Sequence, residues 1–298
     1  VLLGRRRVYL RKAVIAPVDG ICSGDITVIE AIPGKILPEL LPFVIQNDKF
    51  FDYAVQGSAG SLSPRVKWEH LKKYWFELPS IDEQKILANK LWAAYRLKES
   101  YKKLLVATDE MVKSQFIEMF SAMPTTPVKT YVDDSFPGEW GTEDTIGDGV
   151  KVIRTTNFTN SGKLNLTDVV TRSIEDRKVS RKQIKKYDTI LERSGGTADN
   201  PVGRVVLFEE DDLFLCNNFT QVLRFKDIDP RFAFYSLYYF YQTNKTAIRS
   251  MGSKTTGIQN LNMSKYLEIG IPNASDEEQK EFVAIAEQAD KSKFELRK

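Results

Sequence analysis

Two cysteines, Cys22 and Cys216, and one histidine, His70, are all that the 298 residues contain of these types. Such scarcity excludes a disulfide framework, a Cys/His zinc centre and any Ser-His-Asp arrangement that needs a choice of histidines. Long apolar runs are missing as well: stretches such as residues 40–45 are far too short to span a bilayer, so no membrane partner is expected. Charge of one sign is also lacking. Forty-three Lys and Arg face 40 Asp and Glu, a net +3, which excludes a histone-like polycation and a disordered acidic tail. The opening Val1-Leu2-Leu3-Gly4-Arg5-Arg6-Arg7 is short and has no Met, so it does not read as a signal peptide, and a cytoplasmic protein is expected. What is present is an apolar content of 42%, that of a folded chain, at a length that predicts roughly two domains.

Catalytic motifs are absent too. No Gly-x-Gly-x-x-Gly or Walker A loop is there to cradle a nucleotide or S-adenosylmethionine. The Asn/Asp-Pro-Pro-Tyr/Phe tetrapeptide that grips a flipped base is approached only by Asp199-Asn200-Pro201-Val202, which fails at its second proline. Glu83-Gln84-Lys85 and Glu278-Gln279-Lys280 match the Glu-x-Lys of a Mg²⁺-dependent nuclease. Each follows a capping serine in a helix first turn, where an acid complements the dipole, so both read as caps.

The chain repeats itself. Residues 79–85, Pro-Ser-Ile-Asp-Glu-Gln-Lys, recur with two insertions at 272–280, and Gly57-Ser58 recurs as Gly252-Ser253. Cys22 matches Cys216, and Val28-Ile29 matches Val222-Leu223, all at an offset of roughly 195 residues. The shared cysteine position predicts a small buried residue in both copies. Each copy begins with short β-rich runs, clearest at 151–154, 189–192, 204–208 and 220–225, joined by loops rich in Gly, Asn, Ser and Thr. A helix dense in aromatics follows at 232–241, its spacing predicting core rather than base-stacking platforms; its counterpart starts near Glu39, with Pro42 in the first turn.

Each copy ends in a long helix opened by a capping box, Ser80-x-x-Glu83 and Ser275-x-x-Glu278. From Asp82 to about Phe120 there is neither Pro nor Gly, and Leu87, Leu91, Ala94, Tyr101, Leu105, Val112 and Met119 mark an apolar seam. Tyr95 and Phe116 widen it, with Trp92 and Met111. Such a seam needs a partner: the second helix of the same chain packed antiparallel, another subunit, or both. The expected architecture is α+β, two mixed β-rich globules separated by long antiparallel coiled-coil-like helices. Its segments are residues 1–79, 80–122, 123–272 and 273–298.

These residues resemble those of a type I restriction-modification specificity subunit. The resemblance rests on Leu2 to Lys12, Asp19 to Ile26, Ser58 to Trp68, Leu78-Pro79, Glu83-Gln84 and Lys113 to Phe120. In the second copy it rests on Ile153 to Asn157, Tyr187 to Leu191 and Leu267 to Pro272, so that it covers essentially the whole chain. It implies two target-recognition domains, each reading one half of a bipartite duplex DNA site. The helices would set the gap and bind two methyltransferase subunits, and restriction subunits would join through that complex. The chain itself would be non-catalytic and hold no cofactor; S-adenosylmethionine, ATP and Mg²⁺ would belong to the partner subunits. The first domain departs from the pattern, since nothing before Val1 corresponds to the stretch from about Phe136 to Lys186.

DNA contact would then fall to cations and small polar loops. Arg5, Arg6, Arg7, Arg11 and Lys12 form one run, able to grip phosphate or the O6 and N7 edge of guanine, or simply a solvated strand edge. Ser58, Ser61, Arg65 and Lys67 lie in a small-residue loop. Its counterpart carries Ser253, Lys254, Thr255 and Thr256, followed by Gln259 and Asn260, which suit adenine. Arg193, Ser194 and Thr197 around a Gly pair, with Arg204 behind, make a third candidate. A scaffold that holds other proteins and reads no DNA is the alternative to all of these.

Overall fold

The computed structural model describes residues 1–197, 199–255 and 258–295, with only the backbone described at 254, 255, 294 and 295. The chain divides into two compact units, Val1–Leu104 and Leu105–Lys298. In unit 1 the strands β1 (Leu2–Gly4), β2 (Ala13–Val14) and β3 (Ile26–Val28) form an antiparallel sheet in the order β2-β1-β3. Helices α1 (Leu41–Ile45) and α2 (Asp48–Gln56), the hairpin of β4 (Ser58–Ala59) and β5 (Arg65–Val66), and α3 (Trp68–Leu71) follow. Pro42 sits in the first turn of α1, as expected, and Asn47 caps α2 by accepting from the Lys49 amide at 2.9 Å. Gly57 is required by close approach: a Cβ there would lie 2.1 Å from the His70 ring, which stacks on Tyr53 and accounts for the lone histidine. Helix α4 (Ile81–Phe120) is one continuous helix of 40 residues that leaves unit 1 after Leu104.

Unit 2 opens with β6 (Thr125–Pro127), β7 (Val132–Pro137), β8 (Thr142–Glu143), β9 (Val150–Ile153), β10 (Val170–Ser173) and α5 (Asp176–Lys182). It continues with β11 (Thr189–Glu192), β12 (Ser194–Gly195), β13 (Val205–Leu207), β14 (Phe214–Cys216) and β15 (Thr220–Phe225). Then come α6 (Pro230–Thr243), α7 (Lys245–Ser250), β16 (Gly252–Thr255), β17 (Ile258–Leu261), α8 (Met263–Tyr266), β18 (Gly270–Pro272) and α9 (Asp276–Glu295). Two four-stranded sheets, β13-β11-β15-β7 and β14-β9-β10-β8, enclose a core of Phe136, Ile153, Phe158, Ile184, Ile190, Val206, Phe208, Phe214, Cys216 and Val222. The other face of the first sheet packs on a larger core holding the buried aromatics of α6, so their helical spacing does mark core. In that core α4 and α9 run antiparallel: Phe116 and Phe120 meet Phe282, and about two to three turns away Lys293 bonds Asp109 at 2.6 Å.

Matching backbone pairings recur in the two units at the positions the sequence repeat pairs. Leu2 faces Val28 and Val14 as Ile190 faces Val222 and Val206. The Gly4 amide donates to Lys12 O, and the Glu192 amide to Arg204 O. Both capping boxes close, with Ser80 and Ser275 bonded to Glu83 and Glu278. The Glu-x-Lys glutamines are buried ties: Gln84 accepts from the Leu37 amide and donates to Pro79 O, while Gln279 accepts from the Asp229 amide and donates to Ala274 O. One expectation fails. Cys216 is buried, its thiol pushed up to about 12 by desolvation, but Cys22 is exposed. The reason is pairing: β14 lies parallel against β9, and unit 1 has no strand equivalent to β9.

Candidate nucleic-acid interface

In unit 1 the turn after β1 and the β4–β5 hairpin bring the predicted cations together. Arg6 bridges to Arg65 across the backbone, and Asp25 lies between their side chains, 2.9 Å from Arg65 Nε and 3.6 Å from Arg6. The hydrogen bond from Arg65, with its charge and those of Arg6 and Arg5, holds the Asp25 carboxyl below its ordinary value. Arg6 also donates to Ser63 Oγ at 3.3 Å. Arg11 is committed to Asp48 and Asp52, each at 2.6 Å, and Ser58 Oγ donates to Val55 O. Arg5, Arg7, Lys12 and Lys67 have no carboxylate partner among the described residues, and all but the half-buried Arg5 are exposed. The Nε of Arg5 is buried without a hydrogen bond, and Arg5 lines an open concavity of ≈ 550 Å³ with Gly60, Arg65, Lys67 and Trp68. Ser61 is exposed beside it. Arg7 adopts a left-handed φ of 51° and is pinned there by its amide bond to Pro64 O.

In unit 2 two candidates distant in sequence prove to be one surface. Strand β12 pairs with β17, and β17 with β16, so Ser194 lies opposite Asn260 and Asn260 opposite Ser253. Ser194 Oγ donates to Asn260 Oδ1 at 2.7 Å, and Gln259 stands between Gly195 and Lys254 in the same sheet. Gly196, at φ 64°, carries no side chain because a Cβ would lie 2.8 Å from the Val202 amide nitrogen and 3.0 Å from Gln259 Oε1. Thr197 holds a turn, its hydroxyl accepting from the Asn200 amide. For Lys254 and Thr255 the backbone alone is described, and Thr256 lies outside the described residues. Arg204, a predicted contact, is committed inward: Nε bonds the nearly buried Glu192 at 2.7 Å, and the guanidinium lies over the Phe158 ring. Arg193 carries no ion pair among the described residues.

Arg5 and Arg193 occupy one position in the repeat. The Arg5 amide donates to Asp25 O and its carbonyl accepts from the Val66 amide; the Arg193 amide donates to Phe219 O and its carbonyl accepts from the Leu261 amide. Each therefore emerges where the central sheet passes into the polar hairpin.

The predicted helix residues divide by place. Leu91 packs on the unit 1 core, and Val112, Phe116 and Met119 pack on the unit 2 core. Between them Tyr95 and Tyr101 are exposed with Leu97, Leu104 and Val106; Leu87 is exposed near the start, and Leu105 is half-buried. Sequence reasoning missed Asp25, which neutralises part of the arginine run, and Lys163, which ties the 159–163 loop to Glu209 at 2.7 Å and Asp290 at 2.9 Å. No periodic or motif signal marks either, since each acts across a long loop.

Among the described residues no cluster of His, Cys, Asp or Glu is arranged to hold a metal, and no helix is long and apolar enough to cross a membrane. Residues 141–298 match the family model described as the type I restriction modification DNA specificity domain. The fold is similar to the S subunit of a type I restriction-modification system from M. genitalium, at 13% identity over 89% of this chain and 69% of that one, with a TM-score of 0.55. It is also similar to a chain from a structure of the type I R-M system concerned with complex assembly and conformational transition, at 18% identity over 99% of this chain and 78% of that one, with a TM-score of 0.52. No curated protein matches the sequence.

Proposed function

Because this chain belongs to the type I restriction modification DNA specificity family, we propose that it selects duplex DNA by reading one half of a bipartite target with each unit. It is the selecting component and not the reacting one. The observation that carries the reading is the shared backbone placement of Arg5 and Arg193, each half-buried beside a hairpin of small polar residues. An arginine at such a point can bond a guanine edge in bidentate fashion or clamp a phosphate. Gln259 and Asn260 would address adenine, while Arg7, Lys12 and Lys67, with Ser61, Ser253, Lys254 and Thr255, would settle on the backbone phosphates. The exposed apolar middle of α4, including Tyr95, Tyr101, Leu97 and Val106, would receive methyltransferase subunits, two in the full complex. Those subunits would supply S-adenosylmethionine chemistry, and restriction subunits with ATP and Mg²⁺ would join through them, in the cytoplasm where the DNA lies.

The test is selection from random duplexes with the methyltransferase partner present, for the wild type and for Arg5→Ala and Arg193→Ala. Two short motifs at fixed spacing are expected. Each substitution should cost about 1–3 kcal/mol of affinity and relax one motif while leaving the other. Enrichment of one half-site only would confine reading to one unit. No enriched motif, with affinity indifferent to salt, would overturn DNA selection and favour a scaffold built around α4.

A further inference from the structure

A cavity of ≈ 100 Å³ lies within unit 2, where α4, α6, α9 and the 159–163 loop meet. Two tyrosines of α6 mark it as a site. Tyr238 and Tyr241 of that helix donate to Asn160 O and Pro201 O, as buried phenols ordinarily do. Tyr235 and Tyr239 also line the cavity or its wall and are only 8% and 6% exposed, yet their hydroxyls bond no described residue. Buried polar groups are rarely left so, and both belong to one opening. Their rings run nearly parallel, at 18°, with centroids 6.1 Å apart. That spacing is comparable with two hydrogen bonds of about 2.9 Å each meeting at one atom.

The charges around the cavity give the sign of what fits there. Its lysines are committed: Lys163 holds Glu209 at 2.7 Å and Asp290 at 2.9 Å, while Lys293 holds Asp109 at 2.6 Å and Asp290 at 2.7 Å. Lys113 meets Glu110 alone, at 3.7 Å. The four carboxylates of Asp109, Glu110, Glu209 and Asp290 thus face three ammonium groups, which leaves one negative charge in excess. Burial, and after it the charge of neighbours such as Asp290, pushes the Tyr235 and Tyr239 phenols well above their ordinary value. Their oxygens therefore stay neutral, with lone pairs to offer a cation.

We propose that this cavity binds a small primary alkylammonium ion. The three N–H donors of such an ion match the two free hydroxyls and one carboxylate oxygen of Asp109 or Glu110. Its single charge cancels the excess, and its short stem lies among aromatic rings that also attract a cation. Size agrees as well: a cavity of about 150 Å³ takes up benzene, so ≈ 100 Å³ corresponds to about four non-hydrogen atoms. Because the ion touches α6 and α4 beside the Lys163 and Lys293 clasps, it stabilises unit 2 when bound.

The test titrates the whole chain with n-propylammonium chloride at constant ionic strength, against sodium chloride, n-propanol and sodium propionate. Binding is read by calorimetry and by the thermal unfolding midpoint. A saturable heat of one ion per chain, and a raised midpoint, are expected with propylammonium alone. Tyr235→Phe and Tyr239→Phe keep the rings and remove hydroxyls that bond nothing in the chain, so the amine-free midpoint should hold or rise. Each should nevertheless weaken propylammonium on the order of tenfold. No saturable heat overturns the proposal. Equal binding of propanol or propionate overturns the assigned charge, and binding indifferent to both substitutions overturns the assigned site.

Discussion

Val14 and Val28 in unit 1 stand in the same register as Val206 and Val222 in unit 2, yet the first pair meets solvent and the second is sealed in a core. The backbone scheme is common to both; what differs is the layer laid over it. Alternation along a strand decides which residues share a face, but it does not decide whether anything covers that face. The same contrast appears two residues further on. Glu192 and Arg204 form a nearly buried pair, whereas Gly4 and Lys12 at the same positions leave an exposed lysine without a carboxylate among the described residues.

The sharpest way to break this comparison is to place a carboxylate at one register position in each unit. Val222→Asp should cost on the order of 4 kcal/mol or more, since the acid is buried without a partner. Val28→Asp should change stability by no more than about 0.5 kcal/mol. Denaturant unfolding followed by hydrogen exchange separates the units, and equal losses in both would refute the exposure difference. A smaller effect is expected at the next position. Glu192→Ala strands the Arg204 guanidinium and should cost about 3 kcal/mol, while Lys12→Ala should be within about 0.5 kcal/mol of neutral by the same measurement.

The smallest effect concerns acid. Burial alone would raise the Asp290 carboxyl, but Lys163 and Lys293 outweigh it and hold it below its ordinary 3.8. A depressed folded value stabilises the fold above the unfolded value and loses that contribution as pH falls through the folded one. Unit 2 should therefore weaken as pH falls below the ordinary carboxylate range of about 4, and Asp290→Asn should flatten that part of the profile. Unit 1 has its own carboxylate between two cations, the more exposed Asp25 with Arg6 and Arg65, so its profile keeps that contribution and should not respond to the Asp290 substitution.

Much of the architecture was legible because its signals are local. The capping boxes, the Pro- and Gly-free run of α4 and the aromatic periodicity of α6 all report on residues within a turn or two of one another. The repeat was legible because Gln84 and Gln279 must both satisfy loop groups next to a helix start, which keeps their surroundings alike. The interface was only partly legible. Arg5 and Arg193 were visible as cations, but their equivalence shows only in the hydrogen bonds to Asp25, Phe219, Val66 and Leu261. The burial expected for Cys22 failed because it depends on a neighbouring strand that a composition or spacing argument cannot supply.

By itself, then, the sequence determined the duplicated element order, the family and the apolar seams, since each follows from short-range propensity, caps and periodicity. Tertiary structure alone decided which charges remain available and which faces remain open. Arg6, Arg11, Arg65 and Arg204 are drawn onto Asp25, Asp48, Asp52 and Glu192 by contacts 12 to 41 residues apart, and pairing of that range is set by the fold and not by the local chain.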